Sequence, residues 1–276
     1  MIAFQNNVKT AVLLAAMMGL FGFVGLYWGM HGMIIALVLA GAMNFFVWFA
    51  SARLAIAAMR AQEVDASSAP ALYGMVKKLA DRAELPMPRV YICPHDAPNA
   101  FATGRNPRHA AVAVTQGALR LLNEHELEGV IAHELAHIRN RDTLISTIAA
   151  TIAGVFSILA QSIFFFGLRG GRGGNPLALI GIIILGAIGA ALLKAMISRS
   201  REFVADADGA AIAGTPDGLA SALSKLDMVA RQVPMQQPNP AMNNLFIVEP
   251  FMGKTLTALF ATHPPIEKRL AALRSR

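Results

Sequence analysis

Val130-Ile131-Ala132-His133-Glu134-Leu135-Ala136-His137-Ile138 is a run without glycine or proline, and its composition predicts a helix. Residues four apart lie on one face of a helix, so His133 and His137 project from the same side, one turn apart. Two imidazoles in that arrangement can bind one zinc ion. Glu134, beside the first of them, can act as general base on an attacking water. The alternative is a solvated helix face that carries two histidines without a metal.

Three long uncharged runs lie on either side of this motif. The chain has 276 residues, of which 55% are hydrophobic and 15% charged, whereas a soluble domain usually has about a quarter charged residues. No Asp, Glu, Lys or Arg occurs in residues 10–52, 143–168 or 173–193. Because about 20 apolar residues span a bilayer, the first run is long enough for two spans and each of the others for one. The sequence therefore predicts a mainly α integral membrane protein with four transmembrane helices.

The basic residues predict which side of the membrane carries the motif. Positive side chains cluster at one end of the predicted spans, at Lys9, Arg53, Arg60, Arg139, Arg141, Lys194, Arg199 and Arg201. On the other side, the loops carry Arg169 and Arg172. By the positive-inside rule the larger group is cytoplasmic, together with both termini. The one cysteine, Cys93, cannot form an intramolecular disulfide, which suits a reducing compartment.

The predicted spans divide the chain into four parts. Residues 1–52 form an N-terminal transmembrane hairpin, and residues 143–197 form a second one. Residues 53–142 and 198–276 are the two parts of one cytoplasmic α+β domain. The elements predicted in this domain are helices over 67–85, 116–122, 123–142, 219–233 and 264–274, and strands over 89–93 and 110–115.

A third metal ligand is predicted where the chain returns to the cytoplasm. A zinc protease site needs three protein ligands and an open position. In the helical segment 198–206, Glu202 can be that ligand, and Asp206 can accept a hydrogen bond from the outer nitrogen of a zinc-binding histidine. The alternative is an ordinary charged face on which Glu202 pairs with Arg199. The even number of crossings between His137 and Glu202 favours the ligand, because both residues then lie on the same side.

Together, the motif and this returning segment resemble the HtpX group of membrane gluzincins, bacterial heat-shock zinc endopeptidases related to the CAAX-prenyl endopeptidases. The matching residues are His133-Glu134-Leu135-Ala136-His137 and Ser198-Arg199-x-x-Glu202-x-x-Ala205-Asp206, with further segments at 98–104 and 262–269. The resemblance covers the whole chain. It implies one zinc ion per subunit, bound by His133, His137 and Glu202, with Glu134 as the base.

The resemblance also implies two roles that the residues alone leave open. It implies that Asn99-Ala100-Phe101 lies on an exposed edge strand beside the cleft, where a peptide can add as a further strand. Without the resemblance, this segment is a turn before a strand. It further implies that His263 faces the zinc cleft as a catalytic residue that stabilises the oxyanion or steadies the substrate. Without the resemblance, His263 before Pro264 is a helix start.

The function predicted from these features is a zinc-dependent endopeptidase of the bacterial inner membrane. An active site at the cytoplasmic face favours membrane-protein or unfolded polypeptide substrates, and the resemblance implies quality control of misfolded or damaged membrane proteins in a stress response. The alternative is a non-catalytic zinc-binding membrane scaffold, which would need a closed site of four protein ligands. A transporter is disfavoured, since the predicted spans contain no charged residue. Basic residues that flank the bilayer, without a basic stripe interleaved with aromatics, predict no nucleic-acid partner.

Overall fold

The computed structural model describes residues 2–26, 29–145, 199–232 and 264–275. Two long helices cover the first uncharged run, α1 (Ile2–Gly25) and α2 (Gly29–Ala58), and they pack against each other. In the described part of the chain, one helical segment, Gly29–Ala50, is long and apolar enough to cross a bilayer, with a mean hydropathy of 2.2. Apart from residues 143–145, the predicted third and fourth spans lie outside the described residues.

The apolar surface of α2 faces outward. Large exposed apolar side chains on this helix are Met30, Ile34, Ile35, Val38, Leu39, Phe45, Phe46, Phe49 and Leu54. A helix that is hydrophobic all round is normally buried in a protein core or in a membrane. Since the described residues leave this surface open, α2 has the properties expected of a lipid-facing helix.

A four-stranded mixed sheet follows α2. Its strands are β1 (Gln62–Val64), β2 (Arg89–Cys93), β3 (Ala100–Gly104) and β4 (Ala110–Thr115), in the spatial order β1-β2-β4-β3. β2 and β4 run parallel, and the other two pairs are antiparallel. β2 and β4 have the predicted bounds. β1 has no counterpart among the predicted elements, because three residues are too short to show an alternating pattern.

The two faces of the sheet pack against different parts of the chain. On one face, Tyr91, Cys93 and Phe101 pack with Ala55 near the end of α2 and with Met59 just after it. On the other face, side chains such as Val90, Val112 and Val114 join the core formed with the helices. Burial raises the pKa of the Cys93 thiol to about 11, which fits a packing role for the one cysteine.

Helix α5 (Glu124–Arg139) carries the motif and lies at the centre of the helical layer. The helices of this layer are α3 (Pro70–Arg82), α4 (Gln116–Leu121), α6 (Arg199–Ala213), α7 (Asp217–Gln232) and α8 (Ile266–Arg274). α3, α6 and α7 pack on α5, and α8 packs on α6 and α7. The segments before and after residues 146–198 thus join around α5 in one α+β unit.

Two helices differ from the predicted bounds. α3 starts at Pro70 and not near Ser67, because Asp65 accepts hydrogen bonds from the Ser67 and Ser68 amides in a preceding turn. α5 ends at Arg139 and does not continue to about residue 142. Arg141 has a left-handed φ of 59°, which interrupts the helix before residues 142–145 become helical again. The sequence has no glycine or proline at this break.

Candidate metal centre

The three predicted ligand residues come together between α5 and α6. The Nε2 atoms of His133 and His137 are 3.1 Å apart. Glu202 lies opposite them, with Oε2 3.7 Å from His133 Nε2 and Oε1 3.6 Å from His137 Nε2. Among the described residues, these three side chains form the one cluster able to hold a metal ion.

The separations fit a tetrahedral metal ion. Ligand atoms at about 2.0–2.1 Å from such an ion lie about 3.3–3.4 Å from one another. The separations in this cluster run from 3.1 to 3.7 Å. Two imidazole nitrogens and a carboxylate are also the donor set of many catalytic zinc sites. His133, His137 and Glu202 therefore have the chemistry and the spacing to bind a divalent cation.

The carboxylate of Asp206 lies directly behind the His133 ring. His133 Nδ1 lies 3.0 Å from Asp206 Oδ1. Arg269 holds Asp206 in turn, donating from Nη2 to Oδ1 at 2.6 Å and from Nε to Oδ2 at 2.9 Å. Burial acts to raise the pKa of Asp206, but the contacts with His133 and Arg269 outweigh it and keep that pKa below its ordinary value. A charged Asp206 that faces Nδ1 favours a proton on that nitrogen of His133 and leaves Nε2 to the cluster.

His137 is held by Asp142, a carboxylate outside the predicted site. His137 Nδ1 lies 3.0 Å from Asp142 Oδ2, and Asp142 is buried. Five positions after His137, Asp142 would lie on another face of a continuous helix. The left-handed Arg141 turns the chain back, so that Asp142 reaches His137. Helical periodicity therefore could not indicate this residue, and an acidic residue near the helix end is the one signal in the sequence.

The surroundings of His137 favour a positive charge. Burial acts to lower the pKa of His137, but the hydrogen bond with Asp142 and the negative charges of Glu202 and Glu134 outweigh it and raise the pKa to about 9. A proton and a metal ion compete for the same nitrogen lone pair. Carboxylates that stabilise a proton on this imidazole also stabilise a cation bound beside it.

Glu134 lies beside the cluster and is held by the edge strand. Its Oε2 accepts a hydrogen bond from the Ala102 amide at 2.8 Å. Burial is the largest effect on its pKa and raises it above the ordinary value. Glu202 acts in the same direction, whereas His133 and His137 oppose it. A carboxyl group whose pKa is raised above its ordinary value accepts a proton more readily than a free carboxylate, as a general base must.

The predicted substrate segment lies at an edge of the sheet, and its side chains are buried. Asn99, Ala100 and Phe101 are at most 2% exposed. Phe101 points away from the motif helix and packs against the end of α2. The main chain of β3 is what contacts the site, through the Ala102 amide. His263 lies outside the described residues.

Arg269 belongs to the centre, although the predicted site does not include it. It is fully buried, and its Nη1 is 3.4 Å from Glu202 Oε2. The sequence predicts that Ile266, Leu270 and Leu273 point inward from α8, and position 269 lies on the same helical face. Leu273 is buried, whereas Ile266 and Leu270 are half-buried. A charged residue within an apolar stripe is the signal that indicates Arg269.

Known proteins similar to this chain include proteases. The model of Peptidase family M48 matches residues 66–276. A protease HtpX homolog of Methylibium petroleiphilum is 52% identical over 273 residues, which cover 97% of this chain and 96% of that protein. A protease HtpX homolog of Desulforapulum autotrophicum is 49% identical over 277 residues, which cover 98% of this chain and 89% of that protein.

A solved structure also has a similar fold. The crystal structure of S. mikatae Ste24p matches with a TM-score of 0.50 and 18% sequence identity. The match covers 99% of this chain and 66% of that protein. At this identity the similarity concerns the fold, and the geometry of the metal centre comes from the residues of this chain.

Proposed function

This chain belongs to peptidase family M48 as an HtpX-type metalloprotease, and from that premise we propose that it is a zinc endopeptidase of the bacterial inner membrane with its active site at the cytoplasmic face. The observation that carries the proposal is the position of Glu134 beside a cluster of three ligands. The metal, the membrane placement and the substrate class are proposals that go beyond the family.

Zinc is the metal that the donor set favours. His133, His137 and Glu202 would hold one ion per chain, as two imidazoles and a carboxylate do in zinc hydrolases. When bound, zinc acts as a Lewis acid that polarises the scissile carbonyl and makes the attacking water more acidic. A structural zinc would need four protein ligands, and three in the described cluster favour catalysis over a scaffold.

Glu134 is the proposed general base. It takes a proton from the attacking water and later passes it to the leaving amine. The Ala102 amide holds the carboxylate in place at 2.8 Å, and the raised pKa of Glu134 suits both transfers. Asp206 and Asp142 occupy the outer nitrogens of the two histidines, so that the inner nitrogens stay directed at the cluster. His263 would supply a further contact to the oxyanion or the substrate.

A substrate peptide would bind along the outer edge of β3. An extended peptide can pair with an edge strand through main-chain hydrogen bonds. On this edge the Ala102 amide already donates to Glu134, and the Gly104 carbonyl accepts from Thr143 Oγ1 at 3.1 Å. The peptide would therefore pair with the start of the strand, near Ala100. The role proposed for the segment 99–101 is one of its main chain, since its side chains are buried.

Membrane placement is supported by α2 and by a contact of α1 with the site. The Gly29–Ala50 segment of α2 is long and apolar enough to span a bilayer. Asn6 precedes the first uncharged run and hydrogen-bonds to Asp142. The N-terminal segment and the metal centre would thus share one side of the membrane, which the basic residues predict to be the cytoplasm. We retain four spans, with hairpins at 1–52 and 143–197 and protease segments at 53–142 and 198–276.

A site this close to the bilayer favours membrane proteins and their cytoplasmic loops as substrates, with the lipid bilayer as a second partner. The uncharged run starting at residue 143 directly follows the motif helix and its turn. A peptide can pair with β3 only when it is extended, so unfolded or damaged segments should be cut before folded ones. The resemblance to HtpX proteases supports a role in quality control under stress.

The proposal is tested by the cleavage of an unfolded membrane protein in detergent with zinc, followed by mapping of the cut sites. Glu134→Gln should retain one zinc per chain but lose about 10²–10⁴-fold in rate. Glu128→Gln is the matched control, because Glu128 lies on the same helix but pairs with Lys78 at 2.8 Å. Activity of Glu134→Gln within a few-fold of wild type would exclude it as the base. Zinc binding without any cleavage would favour the scaffold.

A further inference from the structure

Asn6 is a buried polar residue in an exposed stretch of α1. Its side chain is 2% exposed, whereas Asn7, Val8 and Lys9 are exposed. Thr10, one turn later on the same face, is also buried and donates from Oγ1 to the Asn6 carbonyl at 2.9 Å. A buried amide side chain is normally retained where its hydrogens find acceptors.

The acceptors of Asn6 lie at the end of the motif helix. Its Nδ2 donates to the Asn140 carbonyl at 2.9 Å and to Asp142 Oδ1 at 2.6 Å. Asn140 is the C-cap of α5, where backbone carbonyls have no partner within the helix. One side chain of α1 therefore holds both ends of the turn that brings Asp142 back to α5.

This turn determines the position of Asp142. Its middle residue, Arg141, has a left-handed φ of 59°, a conformation that residues other than glycine adopt only with support from their surroundings. Asp142 Oδ1 accepts from Asn6 and lies 3.3 Å from Arg201 Nη1, so that Oδ2 is left to face His137 at 3.0 Å. The orientation of His137 thus depends on a carboxylate that is itself held from α1.

We propose that Asn6 is a positioning residue for the metal centre, which acts by holding Asp142 and thereby fixing the tautomer and ring orientation of His137. The inference rests on the proposed function, since His137 is a proposed zinc ligand. Helix α1 would then have a second role besides placing the chain in the membrane, because its position relative to α5 would affect zinc affinity. Residues that orient a metal ligand typically change metal affinity by about 10–100-fold.

A purely structural role for Asn6 predicts a different outcome. If Asn6 only attached α1 to the protease domain, its removal would lower thermal stability equally with and without zinc. The zinc affinity of the folded protein would then stay unchanged. If Asn6 acts through Asp142, zinc affinity falls, and the effect of Asn6 disappears once Asp142 no longer holds His137. Asn7 is the matched control, as an exposed asparagine next to Asn6.

The experiment measures zinc affinity of the full-length protein in detergent, by competition with a chelator, alongside thermal unfolding. Asn6→Ala should bind zinc about 10–100-fold more weakly, and Asn7→Ala should bind like wild type. In an Asp142→Ala background, which removes both side-chain oxygens, Asn6→Ala should cause little further loss. Asn6→Asp keeps the size of the side chain but sets a carboxylate against Asp142, so it should also weaken binding. That variant keeps the test decisive if Asn6→Ala does not fold.

Each outcome separates the inference from the function on which it rests. Wild-type zinc affinity in folded Asn6→Ala and Asn6→Asp would overturn the inference and leave the proposed function intact. Equal losses from Asn6→Ala in the wild-type and Asp142→Ala backgrounds would also overturn it, because Asn6 would then act independently of Asp142. Failure of the wild-type protein to bind zinc would overturn both.

Discussion

Charge balance shows why the buried residues of the centre suit a divalent cation. Four buried carboxylates surround the two histidines, at Glu134, Asp142, Glu202 and Asp206. Two buried guanidinium groups accompany them, at Arg201 and Arg269. When these carboxylates are ionised and both histidines are neutral, as metal binding requires, the buried residues of the centre carry an excess of two negative charges. Buried charge without compensation is strongly unfavourable, so a cation of charge +2 stabilises the centre.

At the residue scale, Arg269→Lys should weaken both the fold and the metal centre. Lysine keeps the positive charge but cannot bind both oxygens of Asp206 while it approaches Glu202. We expect unfolding free energy to fall by about 1–3 kcal/mol and zinc affinity by about tenfold. Thermal unfolding and chelator competition measure the two effects. Arg274→Lys, at an exposed position of the same helix, is the control. If the two variants have the same stability and zinc affinity, Arg269 does not support the metal centre.

At the scale of elements, the distance between α5 and α6 depends on Gly209. A Cβ atom at this position would lie 2.8 Å from the Cα and 2.9 Å from the N of His133. These are backbone atoms, so the contact could be relieved only by a shift of a helix. Because α5 carries both histidines and α6 carries Glu202, a shift of either helix changes the separation of the ligands.

Gly209→Ala should therefore separate the two walls of the site. We expect a loss of about 1–3 kcal/mol in stability from overpacking and at least about tenfold weaker zinc binding. Zinc content after dialysis against a chelator and thermal unfolding provide the measurement. Gly74→Ala in α3 is the control, since a Cβ there has nothing within 4 Å and alanine favours a helix by about 1 kcal/mol. Full zinc retention in Gly209→Ala would mean that α5 and α6 accommodate the methyl group without moving the ligands.

The start of α5 is fixed by Glu126. Its side chain accepts a hydrogen bond from the Asn123 amide, while Asn123 accepts from the Glu126 amide, which forms a capping box. Lys225 and Ser221 of α7 donate to the same carboxylate at 2.8 and 2.6 Å. Burial acts to raise the pKa of Glu126, but these hydrogen bonds outweigh it and lower that pKa below its ordinary value. Charged Glu126 therefore joins α5 to α7.

Glu126→Gln should destabilise the protein in a pH-dependent manner. Because the native pKa is lowered, ionised Glu126 contributes fully above the ordinary carboxylate pKa, and the contribution is lost as the pH falls through the native pKa. The difference in unfolding free energy between wild type and variant, about 1–3 kcal/mol at neutral pH, should shrink below about pH 4. Melting temperatures across this range test it. Glu124→Gln, exposed in the first turn, is the control, and an undiminished difference in acid would contradict the prediction.

At the scale of the whole molecule, the N-terminal helices and the protease domain are directly connected. The end of α2 covers one face of the sheet, with Ala55 and Met59 against Phe101. The Arg105 guanidinium lies 5.0 Å from the centre of the Phe49 ring. These contacts hold the domain against the end of the apolar helix, as the proposed placement of the active site at the surface of a bilayer requires.

The proposed topology predicts which positions an impermeant thiol reagent can reach. In a Cys93→Ser background, Met30→Cys should be labelled from the periplasmic side of spheroplasts. Ser275→Cys should be labelled only after the membrane is opened, because the C-terminus is predicted to be cytoplasmic. Both positions are exposed. Gly170→Cys should behave like Met30→Cys if the second hairpin crosses the bilayer, and labelling of all three from one side would contradict the four-span arrangement.

The sequence by itself determined the features that depend on composition and local period. Uncharged runs indicate membrane helices because the bilayer excludes charge, and the helical period places His133 and His137 on one face. The same period places Glu202 and Asp206 on one face of α6. These residues, with Glu134, also carry the resemblance to HtpX proteases, and membership of that metalloprotease family is confirmed.

Tertiary structure alone decided which residues support the metal centre. Asp206 and Arg269 are 63 positions apart, and Asn6 and Asp142 are 136 apart, so no local pattern relates them. Asp142 reaches His137 only because Arg141 adopts a left-handed conformation. Contacts with the surrounding structure impose this conformation. The sequence does not indicate it, because the residue is not glycine. Helical periodicity indicates which residues share a face of a helix. Packing between distant segments decides which element covers that face, and in this protein it places a residue of α1 behind the metal centre.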